Sequence, residues 1–178
     1  MHVTFCGKRM RLLGLPMKIG TRARDVRVID NNLSFVLPLE RSRGKVRLLL
    51  TVPSLDMPVC SAAIHKCSQF LNSMSQKLTD SVEVFLISAD LPFAQTRWQA
   101  IEKVTNITIL SDYRDLDFAR SWGLLIQDLG LLARAVYVVD STGIVTYREI
   151  VAELTAEPDY GVAFAVLSAE IATLKTAS

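Results

Sequence analysis

Two apolar runs, VRLLLTV at 46–52 and VEVFLIS at 82–88, constrain the fold more than any other feature of the chain. Each has strand length and little polar interruption, which suits a central strand buried on both faces, as parallel sheets require. Parallel neighbours need a crossover connection. The segment between the runs supplies one: over residues 59–78 the side chains of Ala63, Ile64, Cys67, Phe70, Leu71 and Met74 recur at helical spacing.

The same alternation continues downstream. Asp90 is read as the cap of a helix with Pro92 in its first turn, running to about Ile101. A strand at 107–110, a short helix at 115–122 and a strand at 133–139 come next, and 140–143 turns the chain into a hairpin with 144–151. Residues 158–174 close the chain as an amphipathic helix. Upstream, 2–5 and 9–13 alternate around a Gly7-Lys8 turn as an amino-terminal hairpin, and 25–30 with 33–37 form a second. The expected class is α/β: a thioredoxin-like fold, a central mixed sheet flanked by helices with an amino-terminal β-hairpin extension. No repeat or linker divides the chain, so residues 1–178 are expected to form one domain.

Composition excludes several function classes. A net charge of +2 gives no single-sign field. The basic stretches at 8–27 and 41–47, which include Arg47, lack interleaved aromatics for base stacking, so they read as solvated surface and no nucleic acid is expected. No apolar run reaches the roughly 18 residues of a membrane span, and MHVTFCGKRM lacks the apolar core of a signal peptide. The expectation is a cytoplasmic protein without membrane attachment. Cys6, Cys60 and Cys67 are an odd set, better suited to catalytic or buried thiols than to a disulfide framework. With two histidines and no CxxC pair, no metal or other cofactor is expected.

Chemistry concentrates in Pro53-Ser54-Leu55-Asp56-Met57-Pro58-Val59-Cys60, between a buried strand and the start of a long helix. Unpaired N–H groups and the positive end of the helix dipole favour a thiolate there, so the Cys60 pKa is expected to fall. A thiolate that attacks a peroxide O–O bond becomes a sulfenic acid, which a second thiol removes.

PSLDMPVC at 53–60, ISADLPFAQTRW at 87–98, LSDYRD at 110–115, LARAVYVVD at 132–140 and TAEPDY at 155–160 together resemble the thiol peroxidase branch of the peroxiredoxins, the atypical two-cysteine type. The resemblance runs from the amino-terminal hairpin to the last helix. It implies that Cys60 is the peroxidatic nucleophile, that Pro53 shields it from solvent, and that Arg134 steadies the thiolate and the polarised peroxide oxygen. An arginine, a permanent cation with several donors, suits that task. The resemblance also implies a peroxide substrate, thioredoxin or a small thiol as reductant, and a homodimer.

Two departures from the family pattern stand out. Met57 occupies the place of the family's Thr or Ser, and a thioether donates no hydrogen bond. Losing one positioned donor commonly costs about 10² to 10³ in rate, so impaired activity is expected unless Ser54 substitutes. Gln99 occupies the place of the resolving cysteine, and glutamine forms no disulfide. Cys67 lies two helical turns from Cys60, roughly 10 Å along the axis against a disulfide limit of about 7 Å, and reads as a core thiol. Cys6 reads as a strand residue, His65 as a surface residue and Asp56 as a shaper of the turn. The expectation is therefore a peroxidase working by a one-cysteine cycle. The alternative is a catalytically impaired descendant, acting as a redox sensor or binding protein. A thioredoxin-like disulfide reductase would need the missing CxxC.

Overall fold

A computed structural model describes residues 1–176. The amino-terminal hairpin pairs β1 (His2–Phe5) with β2 (Lys8–Leu13), placing Phe5 opposite Lys8. Its two-residue turn is Cys6-Gly7 rather than Gly7-Lys8. Both residues have positive φ, 50° and 77°, which matches the right-handed twist of the flanking strands. The second hairpin shrinks to β3 (Val28–Ile29) and β4 (Phe35–Val36), after which comes the single turn α1 (Pro38–Arg41).

The central crossovers comprise β5 (Val46–Thr51), α2 (Pro58–Ser73), the short α3 (Gln76–Thr79), β6 (Val82–Ser88), α4 (Pro92–Glu102) and β7 (Thr108–Ser111). The expected helix to residue 78 breaks at Met74, whose ψ of 150° is extended, and α3 occupies the remainder. After α5 (Asp117–Ser121) come β8 (Leu125–Ile126), β9 (Leu131–Leu132), β10 (Ala135–Val139), β11 (Val145–Ile150) and α6 (Tyr160–Thr176).

The main sheet has the order β11-β10-β5-β6-β7-β3-β4, parallel across β5-β6-β7 and antiparallel at β10 and β11. A second sheet, β1-β2-β8-β9, joins the amino-terminal hairpin to two strands too short to show alternation in sequence.

Period-two alternation divides the core into two layers. Leu48, Leu50, Val84, Leu86, Val136 and Val138 face α2, α4 and α6, where Ile64, Cys67, Trp98 and Leu167 pack. Leu49, Phe85, Ile87, Ala135 and Tyr137 face the other way, onto Phe118, Trp122 and the hairpin residues Val3 and Met10. The two β-α-β steps advance in one direction across the sheet, so α2 and α4 share a face. Both faces being covered explains the unbroken apolar runs.

One basic residue departs from its expected place. Arg47 is 3 % exposed rather than solvated. Its guanidinium donates to Ser42 Oγ (2.9 Å), the Leu39 carbonyl (2.9 Å) and the Asp140 carbonyl (2.8 Å), which replaces the water it loses.

Candidate active site

Strand β5 ends at Thr51, and the loop from Val52 to Met57 delivers the chain to the start of α2. Val52 remains tied to the sheet through its N–H on the Ile87 carbonyl, 3.2 Å, and Pro53 is buried beside it in sequence. Met57 is the N-cap of α2 and Pro58 opens the helix, where a missing N–H costs nothing. Cys60 thus stands in the first turn, and its side chain is fully buried, 0 % exposed.

Arg134 arrives from the opposite direction. The Thr51 hydroxyl donates to the Ala133 carbonyl (2.7 Å), and the Val151 N–H donates to the Arg134 carbonyl (3.0 Å), so the backbone just before β10 is held on both sides. The Ala135–Thr51 pairing sets Arg134 one step beyond the end of β5, next to the Cys60 loop. Its side chain, 1 % exposed, donates through Nε (3.2 Å) and Nη2 (3.0 Å) to the Leu154 carbonyl. The same Nη2 donates to Cys60 Sγ at 3.2 Å. Nη1 is buried without a protein partner.

These surroundings set the thiol's acidity. Burial is the largest influence and pushes the Cys60 pKa up, opposed by the charge of Arg134, its hydrogen bond and the Ser54 backbone N–H. The net direction is upward, which corrects the fall expected from the helix start alone. The helix end does not outweigh a pocket closed to water. Among the influences that favour a thiolate at Cys60, Arg134 supplies the largest.

The loop is held by a residue expected to do something else. Leu91, not Asp90, is the N-cap of α4, and no side chain caps that helix. The Asp90 carboxylate turns to the Cys60 loop, where Oδ1 accepts from the Ser54 hydroxyl (2.8 Å) and Oδ2 from the Leu55 N–H (2.8 Å). Ser88 Oγ also donates to Oδ2 (2.8 Å) and accepts from Gln95 Nε2 (3.0 Å). Ser54 Oγ accepts from the Asp56 N–H as well, 3.2 Å, so its hydroxyl is committed to the loop and does not stand in for the missing Thr. Met57 is half-buried and packs against the cluster that contains Cys60.

The other candidates lie apart from this pocket. Cys67 is as buried as Cys60 but has no arginine beside it, and burial pushes its thiol up to about 12. Cys6 is exposed in the hairpin turn, its N–H donating to Glu153 Oε1 at 3.1 Å. His65 pairs with Glu102 (2.7 Å), and Gln99 Nε2 donates to the Ile107 carbonyl (3.3 Å). Asp56 is exposed at the turn. The Leu154 carbonyl and the Asp90–Ser88–Gln95 group escape a reading of the sequence. The first is a backbone atom, and the second shows there only as polar residues inside SADLPFAQ.

Comparison with known proteins gives this arrangement its class. Residues 18–163 match the Redoxin family. A thiol peroxidase of Halalkalibacterium halodurans is 45 % identical over 158 residues, 89 % of this chain and 92 % of that protein. One from Bacillus subtilis is 40 % identical over 159 residues, 89 % and 92 % of the two chains. Among solved structures, a peroxiredoxin-like protein from Aquifex aeolicus superposes with a TM-score of 0.82 at 33 % identity, covering 97 % of this chain and 96 % of that one. A thiol peroxidase from Chromobacterium violaceum shares the fold with a TM-score of 0.84 at 21 % identity, over 95 % and 96 % of the two chains. The chain belongs to the Redoxin family, and within it to the thioredoxin-like peroxiredoxins. Its chemistry is thiol-dependent reduction of peroxides. Nothing in these likenesses favours the sensor or binding-protein alternative.

Proposed function

We propose that Cys60 is the peroxidatic nucleophile and that the protein turns over by a one-cysteine cycle with an external thiol. The observation that carries this reading is the 3.2 Å contact from Arg134 Nη2 to Cys60 Sγ, with Nη1 of the same guanidinium buried and unpartnered. A buried donor without an acceptor is costly, and a peroxide oxygen entering the pocket would satisfy it. Pro53, buried at the head of the loop, keeps bulk water from the sulfur.

The reaction runs in two stages. Cys60 loses its proton, and the thiolate attacks one oxygen of the hydroperoxide. An S–O bond forms and the O–O bond breaks, so that sulfur is oxidised by two electrons and the peroxide reduced. The departing alkoxide or hydroxide takes a proton and leaves as alcohol or water. Arg134 stabilises the charge that passes from sulfur to oxygen, in a site too dry for water to screen it. An external thiolate then attacks the sulfenic sulfur, expelling water and leaving a mixed disulfide. A second thiol releases Cys60 and carries away the disulfide.

A cellular dithiol such as thioredoxin, or a small thiol, fits the reductant's part. The cytoplasm, where thiols are kept reduced, suits the cycle. Among the described residues no helix is long and apolar enough to cross a membrane. A homodimer is the expected assembly, and residues 1–178 are read as one domain.

Peroxide-dependent NADPH oxidation, coupled through thioredoxin and its reductase, tests the proposal. Turnover is expected in the wild type and none in Cys60→Ser. Mass spectrometry after one equivalent of peroxide should show a gain of one oxygen on Cys60. Loss of two hydrogens, an internal disulfide, would overturn the one-cysteine cycle.

A further inference from the structure

We infer that Asp90 is a positioning residue for the peroxide reaction: its carboxylate bolts the Cys60 loop to the β6–α4 junction and so fixes where the sulfur stands. This deepens the reading above and rests on Cys60 being the nucleophile.

The carboxylate accepts three hydrogen bonds through two oxygens, from Ser54 Oγ, the Leu55 N–H and Ser88 Oγ, each 2.8 Å. Two of these donors belong to the loop and one to the last residue of β6. The junction that carries Asp90 is itself fixed. Ser111 Oγ donates to the Asp90 carbonyl, and Gln95, fully buried, donates to both Ser88 Oγ (3.0 Å) and the Leu110 carbonyl (2.9 Å). The loop is thereby referenced to the rigid centre of the sheet, where β6 and β7 pair. The tethered loop leads directly into the first turn of α2, where Cys60 stands. Asp90 therefore acts on the sulfur through the loop it holds.

Electrostatics makes the role unusual. A negative charge near a thiolate opposes its formation, and Asp90 does push the Cys60 thiol upward. A carboxylate that served acidity would not stand there. Its contribution must come from geometry, where small misplacements of a nucleophile commonly cost on the order of 10²-fold.

Asparagine and alanine separate the two effects. In Asp90→Asn the amide oxygen accepts from the Leu55 N–H and the amide nitrogen donates to Ser54 Oγ, so the bolt survives without its charge. In Asp90→Ala both are lost. The rate constant with hydrogen peroxide, corrected for the thiolate fraction at each pH, is measured for each variant, alongside the pH profile of Cys60 alkylation. Asp90→Ala is expected to lose about 10- to 10²-fold per thiolate. Asp90→Asn is expected to lose far less and to shift the alkylation profile to lower pH. Equal per-thiolate rates in the wild type and Asp90→Ala, or equal losses in the two variants, overturn the inference. Should Asp90→Ala fail to fold, Ser54→Ala removes one arm alone and is expected to lose a smaller part of the per-thiolate rate. An unchanged rate there overturns the inference as well. Cys60→Ser is assayed in parallel. If it keeps its activity, the assignment of the nucleophile has failed rather than the role of Asp90.

Discussion

Cys60 and Cys67 stand on the same face of one helix, and both are 0 % exposed. Burial pushes both thiols up. Cys67 meets apolar neighbours, and the charge of Lys66 opposes only a part of the burial that pushes its thiol up to about 12. Cys60 has the Arg134 guanidinium at 3.2 Å. One helix thus carries an inert thiol and a candidate nucleophile, and what distinguishes them is the loop and the arginine brought against the first turn. Burial by itself disarms a thiol. A permanent cation inside the same dry pocket makes its anion accessible, because little solvent screens the pair.

The largest expected effect tests the comparison outright. Cys60→Ser should abolish peroxide turnover, and Cys67→Ala should retain it, losing stability instead through a small cavity. Loss of turnover in both would break the distinction. Next in size is Arg134→Met. Its rate with peroxide should fall by about 10² to 10³, as when one charge-stabilising donor is deleted. The Cys60 alkylation profile should move to higher pH, toward that of Cys67. An unmoved profile would mean that the arginine is not what separates the two sulfurs.

Met57→Thr should move the rate the other way, adding a donor at the helix cap for a gain of about 10- to 10²-fold with hydrogen peroxide. Stopped-flow oxidation at fixed thiolate fraction would reveal it. A variant no faster than the wild type removes the hydroxyl argument.

The smallest effect concerns how Arg134 is kept in place. Its carbonyl acceptor, Leu154, is held by its own N–H on the Thr4 carbonyl (2.9 Å), and the adjacent Glu153 accepts from Thr4 Oγ1 (2.6 Å) and the Cys6 N–H (3.1 Å). Hydrogen bonds from the Thr4 hydroxyl first, then from the Thr155 hydroxyl and the Gly7 and Thr155 N–H groups, outweigh burial and hold the Glu153 carboxyl down at about 2, against an ordinary 4.5. The lower pKa belongs to the folded state, so the stabilisation is complete above 4.5 and fades as pH falls toward about 2. Glu153→Gln should unfold at lower urea than the wild type at neutral pH, with the gap closing on acidification through that window. A gap independent of pH would deny the carboxylate its part.

Much of this is legible in the chain. The buried strands, the helix that begins near Cys60 and the arginine before a strand are all local patterns of periodicity, capping and composition. The short strands β8 and β9 are not, because two residues are too few to alternate. Arg47 reads as surface because its partners are mostly carbonyls, which look alike in every residue. Asp90 reads as a helix cap because a sequence displays neighbours along the chain, whereas the Leu55 N–H reaches it from across the fold.

By itself, the sequence determined that a cysteine would stand at the entrance to a long helix after a buried strand, in a thioredoxin-like α/β fold. Tertiary structure decided which thiol would be chemically distinct. Cys60 and Arg134 are 74 residues apart, and they meet only because β10 pairs with β5 in the register that sets Ala135 against Thr51. It also reversed the expected direction of the Cys60 shift. Helix position is a local property, whereas desolvation belongs to the packed whole, and in a closed pocket desolvation is the larger influence.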